Sequence, residues 1–195
     1  MARTSYVKRS TSETQIEVSL NLDGSGDQDI KTPIPFLDHM LSQLAKHGYF
    51  DLKVKAKGDT HIDFHHTVED VGIAVGQAFK EALGEKKGIR RFAEANVPLN
   101  EALAQCVIDI SGRAFFVFNV DFPKAKLGDF DVELVSEFFQ AFSANSDITL
   151  HLNSPYWNNL HHITEALFKA FARSLDSACS IDSRTTDIPS TKGTL

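Results

Sequence analysis

The segment His65-His66-Thr67-Val68-Glu69 returns 96 residues later as His161-His162-Ile163-Thr164-Glu165. A signature of two histidines and a glutamate that recurs at a fixed offset points to a duplicated supersecondary unit. The elements around it repeat as well. In the first half, Thr14–Leu22 alternates Ile16, Val18, Leu20 and Leu22 on one side, as a half-buried strand does. Gln28–Thr32 reads as a short strand, and Pro33 and Pro35 stand where a helix begins. Leu37, Met40, Leu41 and Leu44 then follow at helical spacing up to Gly48. Phe50–Lys57 alternates again, and a helix is expected from about His65 to Leu83, capped by Asp63 and stopped at Gly84. In the second half the order recurs: strands over Glu101–Ser111 and Arg113–Val120, a helix over Val132–Ala144, a strand over Asp147–Asn153 and a long helix over Asn159–Ser180. Asp51 and Asp147, each read as opening a strand, keep the same spacing. The expected fold is α/β of the two-layer α+β kind, an internal duplication of a β-β-α-β-α unit. The repeats, at about 8–85 and 88–180, should pack as one domain, because five short elements alone bury too little surface. The polar residues 181–195, which include DIPSTKG, are expected to form a tail that stays mobile until something binds it.

The formal charge of −6 argues against a nucleic-acid or anionic-membrane binder, since either needs a basic face. No stretch approaches the roughly 18 apolar residues of a membrane span, and MARTSYVKRS lacks the apolar core of a signal peptide, so a cytoplasmic chain is expected. Cys106 and Cys179 sit among apolar neighbours without C-x-x-C spacing and read as reduced core residues. Neither a phosphate-binding glycine loop nor a Ser-His-Asp signature is present, which leaves nucleotide and serine-nucleophile chemistry without support.

The chemistry lies in the repeated motif. At a helix start, His65 and Glu69 share one face as i and i+4 neighbours, while His66 points about 100° away. Two facing copies would let each ion take a histidine–glutamate pair from one copy and the odd histidine from the other. Imidazole and carboxylate without thiolate suit manganese, iron or zinc and disfavour copper(I) and iron–sulfur clusters. His39 and Glu137, on the first helix of their copies, are candidate additional ligands. His47 falls in a last helical turn, where the dipole stabilises a cation, and reads as structural. His61 and His151 read as loop and strand residues. Arg91 follows Gly88, Arg113 follows Gly112 and Lys192 precedes Gly193, positions where glycine lets backbone and cation approach a phosphate. On the residues alone the reading is a two-metal site, and a dinuclear metallohydrolase of a phosphorylated small molecule and a non-catalytic metal-binding shell both stay open.

The segments RSTSET, FLDHMLSQLAKHG, GDTHIDFHHTVEDVGIAVGQA, KKGIRRFA, DISGRA, LHHITEALFKAFARSL and PSTKG, in this order over essentially the whole chain, resemble the imidazoleglycerol-phosphate dehydratase family. The resemblance implies a lyase of histidine biosynthesis that dehydrates D-erythro-imidazoleglycerol phosphate to imidazole acetol phosphate with two manganese ions per active site. Their ligands would come from His39, His65, His66, Glu69, Glu137, His161, His162 and Glu165. By the same resemblance Glu13 is the acid–base residue, Gln43 and His47 line the substrate chain, and Arg91, Arg113, Ser190 and Lys192 hold the phosphate. One departure is Glu137 in SEFFQAF, where the family pattern has histidine. The partners implied are the phosphorylated imidazole substrate and other copies of the chain, in a homo-oligomeric shell of twenty-four subunits with sites at subunit interfaces.

Overall fold

The computed structural model describes residues 2–195. The first unit runs β1 (Thr4–Ser10), β2 (Thr14–Asn21), β3 (Gln28–Lys31), α1 (Pro35–Gly48), β4 (Asp51–Gly58) and α2 (His65–Leu83). The second runs β5 (Phe92–Leu99), β6 (Ala102–Asp109), β7 (Phe115–Asn119), a short hairpin β8 (Lys126–Leu127) and β9 (Phe130–Asp131), then α3 (Leu134–Ser146), β10 (Thr149–Tyr156) and α4 (Leu160–Cys179). Two sheets of matching topology result, ordered β1-β2-β4-β3 and β5-β6-β10-β7. In each, the only parallel pair joins the two strands that flank the first helix of the unit.

The duplicated α+β unit is therefore present, and each copy carries one more strand ahead of the expected β-β-α-β-α order. These leading strands lie at sheet edges. In β1 only Val7 is buried and in β5 no residue is, so neither displays the apolar alternation that betrays β2. The repeat also slips. Asn21 faces Asp51 in the first sheet, and Asp109 faces Thr149 in the second. Asp147 does not open β10; it is the left-handed C-cap of α3 at φ 55, matching Tyr49 at φ 56 on α1. The loss of two residues falls between β10 and the histidine pair of α4: the connection 59–64 shortens to 157–159, and α4 starts one residue ahead of His161.

The helices fill the space between the sheets, with α2 on β1 and β2 and α4 on β5 and β6, and one buried apolar cluster spans both units. They also run the same way. A Cβ on Gly72 would lie 2.7 Å from the Phe138 carbonyl and one on Gly76 2.7 Å from that of Phe142, so α2 and α3 pack backbone against backbone in parallel. The Phe138 ring packs tilted against Phe168 at 5.2 Å and Phe142 edge-to-face against Phe171 at 4.9 Å, which aligns α3 with α4. His39 meets Glu165 near the start of α1 and α4, while Gly48 meets Ala172 further along both. All four helices thus present their N-terminal turns, where the candidate ligands sit, to one end of the molecule.

Residues 181–195 are not a free tail. The Gly88 amide donates to the Asp187 carbonyl at 2.9 Å, the Asp182 amide donates to the Gly88 carbonyl at 2.7 Å, and Ile181 bridges to Ile89. A polar strand-less segment can be held by backbone hydrogen bonds where apolar packing is lacking. Cys106 and Cys179 are buried free thiols, both pushed up to about 12 chiefly by burial. Among the described residues no helix is long and apolar enough to cross a membrane.

Candidate metal centre

At the start of α4, the Asn159 side chain accepts from the amides of His161 and His162 and fixes the first turn. One turn of helix then sets His161 above Glu165, with Nε2 3.1 Å from Oε2. His39, from α1, brings its own Nε2 to 3.0 Å from the same oxygen. The three ligand atoms lie within 4.8 Å of one another, the only such group of three or more among the described residues. Burial opposes ionisation of Glu165, yet hydrogen bonds from Lys169 and His39 outweigh it and hold the carboxyl down to about 2. Two imidazoles and an ionised carboxylate converging without thiolate suit a divalent ion such as manganese.

The group crosses the repeats, but not as the motif spacing suggested. Its histidine–glutamate pair comes from the second copy, and the partner from the first is His39 rather than His66. His39 and Glu137 each stand ten residues ahead of the left-handed cap of their helix, so Glu137 is the structural counterpart of His39. His65, Glu69 and Glu137 accordingly occupy the matching turns of α2 and α3, half-buried, but do not close to the same separation.

Both odd histidines turn toward carboxylates. His66 Nδ1 is 3.0 Å from Asp59 Oδ2, which raises the imidazole above its ordinary range, and its Nε2 is 3.9 Å from Glu13 Oε1. His162 Nδ1 is 3.0 Å from Glu101 Oε2. Glu13 stands in the turn between β1 and β2, where Thr11 Oγ1 accepts from the amides of Glu13 and Thr14. Asp70 ties this turn to α2: it accepts from the Thr14 hydroxyl and from Arg9 Nε at 2.9 Å. Beside Glu13 lies an open hollow of about 410 Å³, lined in part by Thr14, Lys57, Asp59 and His61. Sequence reading missed Asp59, Asp70 and Glu101 because an acidic residue in a turn or a helix start has no spacing that distinguishes it from a solvated charge.

Along α1, His39, Gln43 and His47 form a stripe at four-residue intervals, and on α4 Glu165, Lys169 and Arg173 form another. His47 is pushed below the usual imidazole range by burial and by the positive charges of Lys169 and Arg173, which work against the helix-dipole stabilisation of a cation there. Arg91 donates to both oxygens of Asp109, at 2.7 and 3.2 Å, and its Nη1 to the Pro189 carbonyl at 2.8 Å. Gly112, at φ 71, lies so close to the terminal Leu195 that a Cβ there would come within 2.5 Å of it. The C-terminal segment is thus led past Arg91 and back to the turn that carries Arg113, and Ser190 Oγ accepts from the Lys192 amide at 3.2 Å. The four phosphate-binding candidates share one folded segment and the two loops it touches.

The family model described as imidazoleglycerol-phosphate dehydratase matches residues 32–175. Imidazoleglycerol-phosphate dehydratases of Pelobacter propionicus and Citrifermentans bemidjiense are 56% and 58% identical to this chain over 195 residues, covering 100% of each partner in both comparisons. The crystal structure of the Staphylococcus aureus imidazoleglycerol-phosphate dehydratase is similar with a TM-score of 0.83 at 37% identity, over 92% of this chain and 99% of that one.

Proposed function

The chain belongs to the imidazoleglycerol-phosphate dehydratase family, lyases of histidine biosynthesis, and from that premise we propose that it works with two manganese ions and uses Glu13 to carry protons. The reaction removes water from imidazoleglycerol phosphate. A C–O bond breaks on the carbon next to the ring, a C–H bond breaks on the following carbon, and the resulting enol becomes the ketone. The proton lost from carbon is unactivated, so a side-chain base alone is too weak for the task. Bound manganese supplies Lewis acidity that makes the imidazole ring N–H easier to remove.

His39, His161 and Glu165 would hold one ion, and the convergence of these groups across the repeats is the observation that carries the reading. His65, Glu69 and Glu137 occupy the equivalent turns and would serve the second, with His66 and His162 completing the shells. The carboxylate of Glu137 in place of histidine exchanges a nitrogen donor for an oxygen donor, which manganese accepts readily. Glu13 is half-exposed, hydrogen-bonded only through its backbone, and close to His66, which suits a group that takes and returns a proton. Gln43 and His47 extend from His39 along α1 and would line the substrate chain as hydrogen-bonding partners. Arg91, Arg113, Ser190 and Lys192 would hold the phosphate by charge-assisted and backbone contacts.

The protein would act in the cytoplasm as a homo-oligomer in which neighbouring copies complete the sites. That arrangement is supported by the partial exposure of His39 and His161 and by the open spacing of the His65–Glu69–Glu137 group.

Glu13→Gln tests the role of Glu13, since it keeps size and hydrogen bonding but cannot accept a proton. A positioned acid–base group contributes about 10²–10⁴-fold, so kcat should fall on that order with manganese content unchanged. A kcat within about twofold of the parent would refute the assignment, and a joint loss of activity and metal would make Glu13 a ligand instead.

A further inference from the structure

We propose that Asp59 and Glu101 are positioning residues that hold His66 and His162 as Nδ1–H tautomers with Nε2 turned outward, and that this division of labour is what leaves Glu13 free. The inference rests on the reading of His66 and His162 as metal ligands. A neutral imidazole carries one proton, and a carboxylate at Nδ1 draws that proton to itself. Each odd histidine meets that condition: His66 Nδ1 at 3.0 Å from Asp59 and His162 Nδ1 at 3.0 and 3.3 Å from the two oxygens of Glu101. The nitrogen left over, Nε2, is then the lone-pair donor. Outer carboxylates of this kind orient the ring and raise its basicity.

The duplication makes the assignment sharper, because the two carboxylates come from non-equivalent places. With Asn21 opposite Asp51 and Asp109 opposite Thr149, the turn between β5 and β6 matches the turn between β1 and β2, and Glu101 is the counterpart of Glu13. The connection that supplies Asp59 in the first copy has shrunk to Trp157, Asn158 and Asn159 in the second and offers no carboxylate. Glu101 takes the task over, and its Oε1 also accepts from the Asn159 amide at 2.8 Å, which locks it onto the start of α4. In the first copy Asp59 already holds Nδ1, so Glu13 stands 3.9 Å from the other nitrogen with no side-chain hydrogen bond of its own. One oxygen of Asp59 is buried without a partner, an arrangement that costs stability and so calls for a reason other than stability. Orienting His66 is such a reason.

The test measures manganese binding rather than turnover. Metal-free Asp59→Ala and Glu101→Ala are titrated with manganese and their thermal midpoints recorded without metal, beside Asp59→Asn, Glu101→Gln, His66→Ala and His162→Ala. Loss of an outer partner of a ligating histidine typically costs about 10–100-fold in metal affinity. Each alanine variant should therefore weaken manganese binding by that factor, and the amide variants, whose carbonyl can still accept from Nδ1–H, should stay within about threefold of the parent. Unchanged affinity in both alanine variants, with binding lost in the two histidine variants, overturns the inference while leaving the ligand reading intact. Full manganese binding in the histidine variants overturns the ligand reading itself and the inference with it. A fall in the metal-free midpoint with affinity unchanged assigns both carboxylates to stability alone and likewise overturns the inference.

Discussion

Replacing Asp70 with alanine should both unfold the protein more easily and slow its chemistry, since this carboxylate joins the Glu13 turn to α2, the helix that begins with His65 and His66. Its side chain is 7% exposed, and both oxygens are engaged, one by Arg9 at 2.8 Å and the other by the Thr14 hydroxyl. Removing one partner of a buried ion pair costs about 3–5 kcal/mol, because the other charge is left without compensation. Arg9 is 32% exposed, so water recovers part of that loss. A cost of about 2–4 kcal/mol remains, the unpaired Thr14 hydroxyl included. In a chain of this size each kcal/mol moves the thermal midpoint by about 2–4 °C, so a drop of about 4–16 °C is expected. Urea unfolding of metal-free protein at fixed concentration measures the free energy directly. Asp70→Asn, which keeps an acceptor for Thr14, should fall between the parent and the alanine variant. The turn that carries Glu13 loses its tie to α2 in Asp70→Ala, so kcat should also fall while manganese content holds. A loss below about 1 kcal/mol, or a kcat equal to that of the parent, would refute this account of the Arg9–Asp70–Thr14 link.

Removal of the last ten residues should raise KM strongly while manganese binding is retained, because the segment carries Ser190 and Lys192 and none of the candidate ligands; steady-state kinetics with a metal titration would show it, and an unchanged KM would take the segment out of the site. Cys106 and Cys179, with thiols pushed up to about 12, should be almost wholly protonated at pH 8. The native protein should then resist a thiolate-selective disulfide reagent and react only once unfolded; rapid labelling of folded protein would contradict their burial.

Much of the architecture was legible because hydrophobic periodicity is strong where an element is half-buried. The helices α1, α2 and α4 and the strands β2 and β4 follow from it almost residue for residue. The edge strands β1 and β5 were not legible, since a strand that buries one residue or none leaves no alternation to read. The 96-residue recurrence located the motif helices, yet it misread Asp147, because helix and strand offsets differ once the connection before α4 has shortened. At the site, ligand types were visible in the spacing of the histidines, but which of them converge was not. His39 joins His161 and Glu165 only because α1 lies parallel to α4, a tertiary fact that no local pattern encodes. The C-terminal segment looked mobile because its anchors, the Gly88 amide and the Arg91 guanidinium, lie about a hundred residues upstream.

The central claim, that two manganese ions held at the ends of four parallel helices make the dehydration possible, is tested most directly by stripping the protein of metal and titrating manganese back while ketone formation from imidazoleglycerol phosphate is followed. Turnover should be absent without metal and should rise to a plateau at about two equivalents per subunit, with no phosphate released. Undiminished ketone formation in the metal-free protein, or a plateau at one equivalent, would contradict the two-ion account.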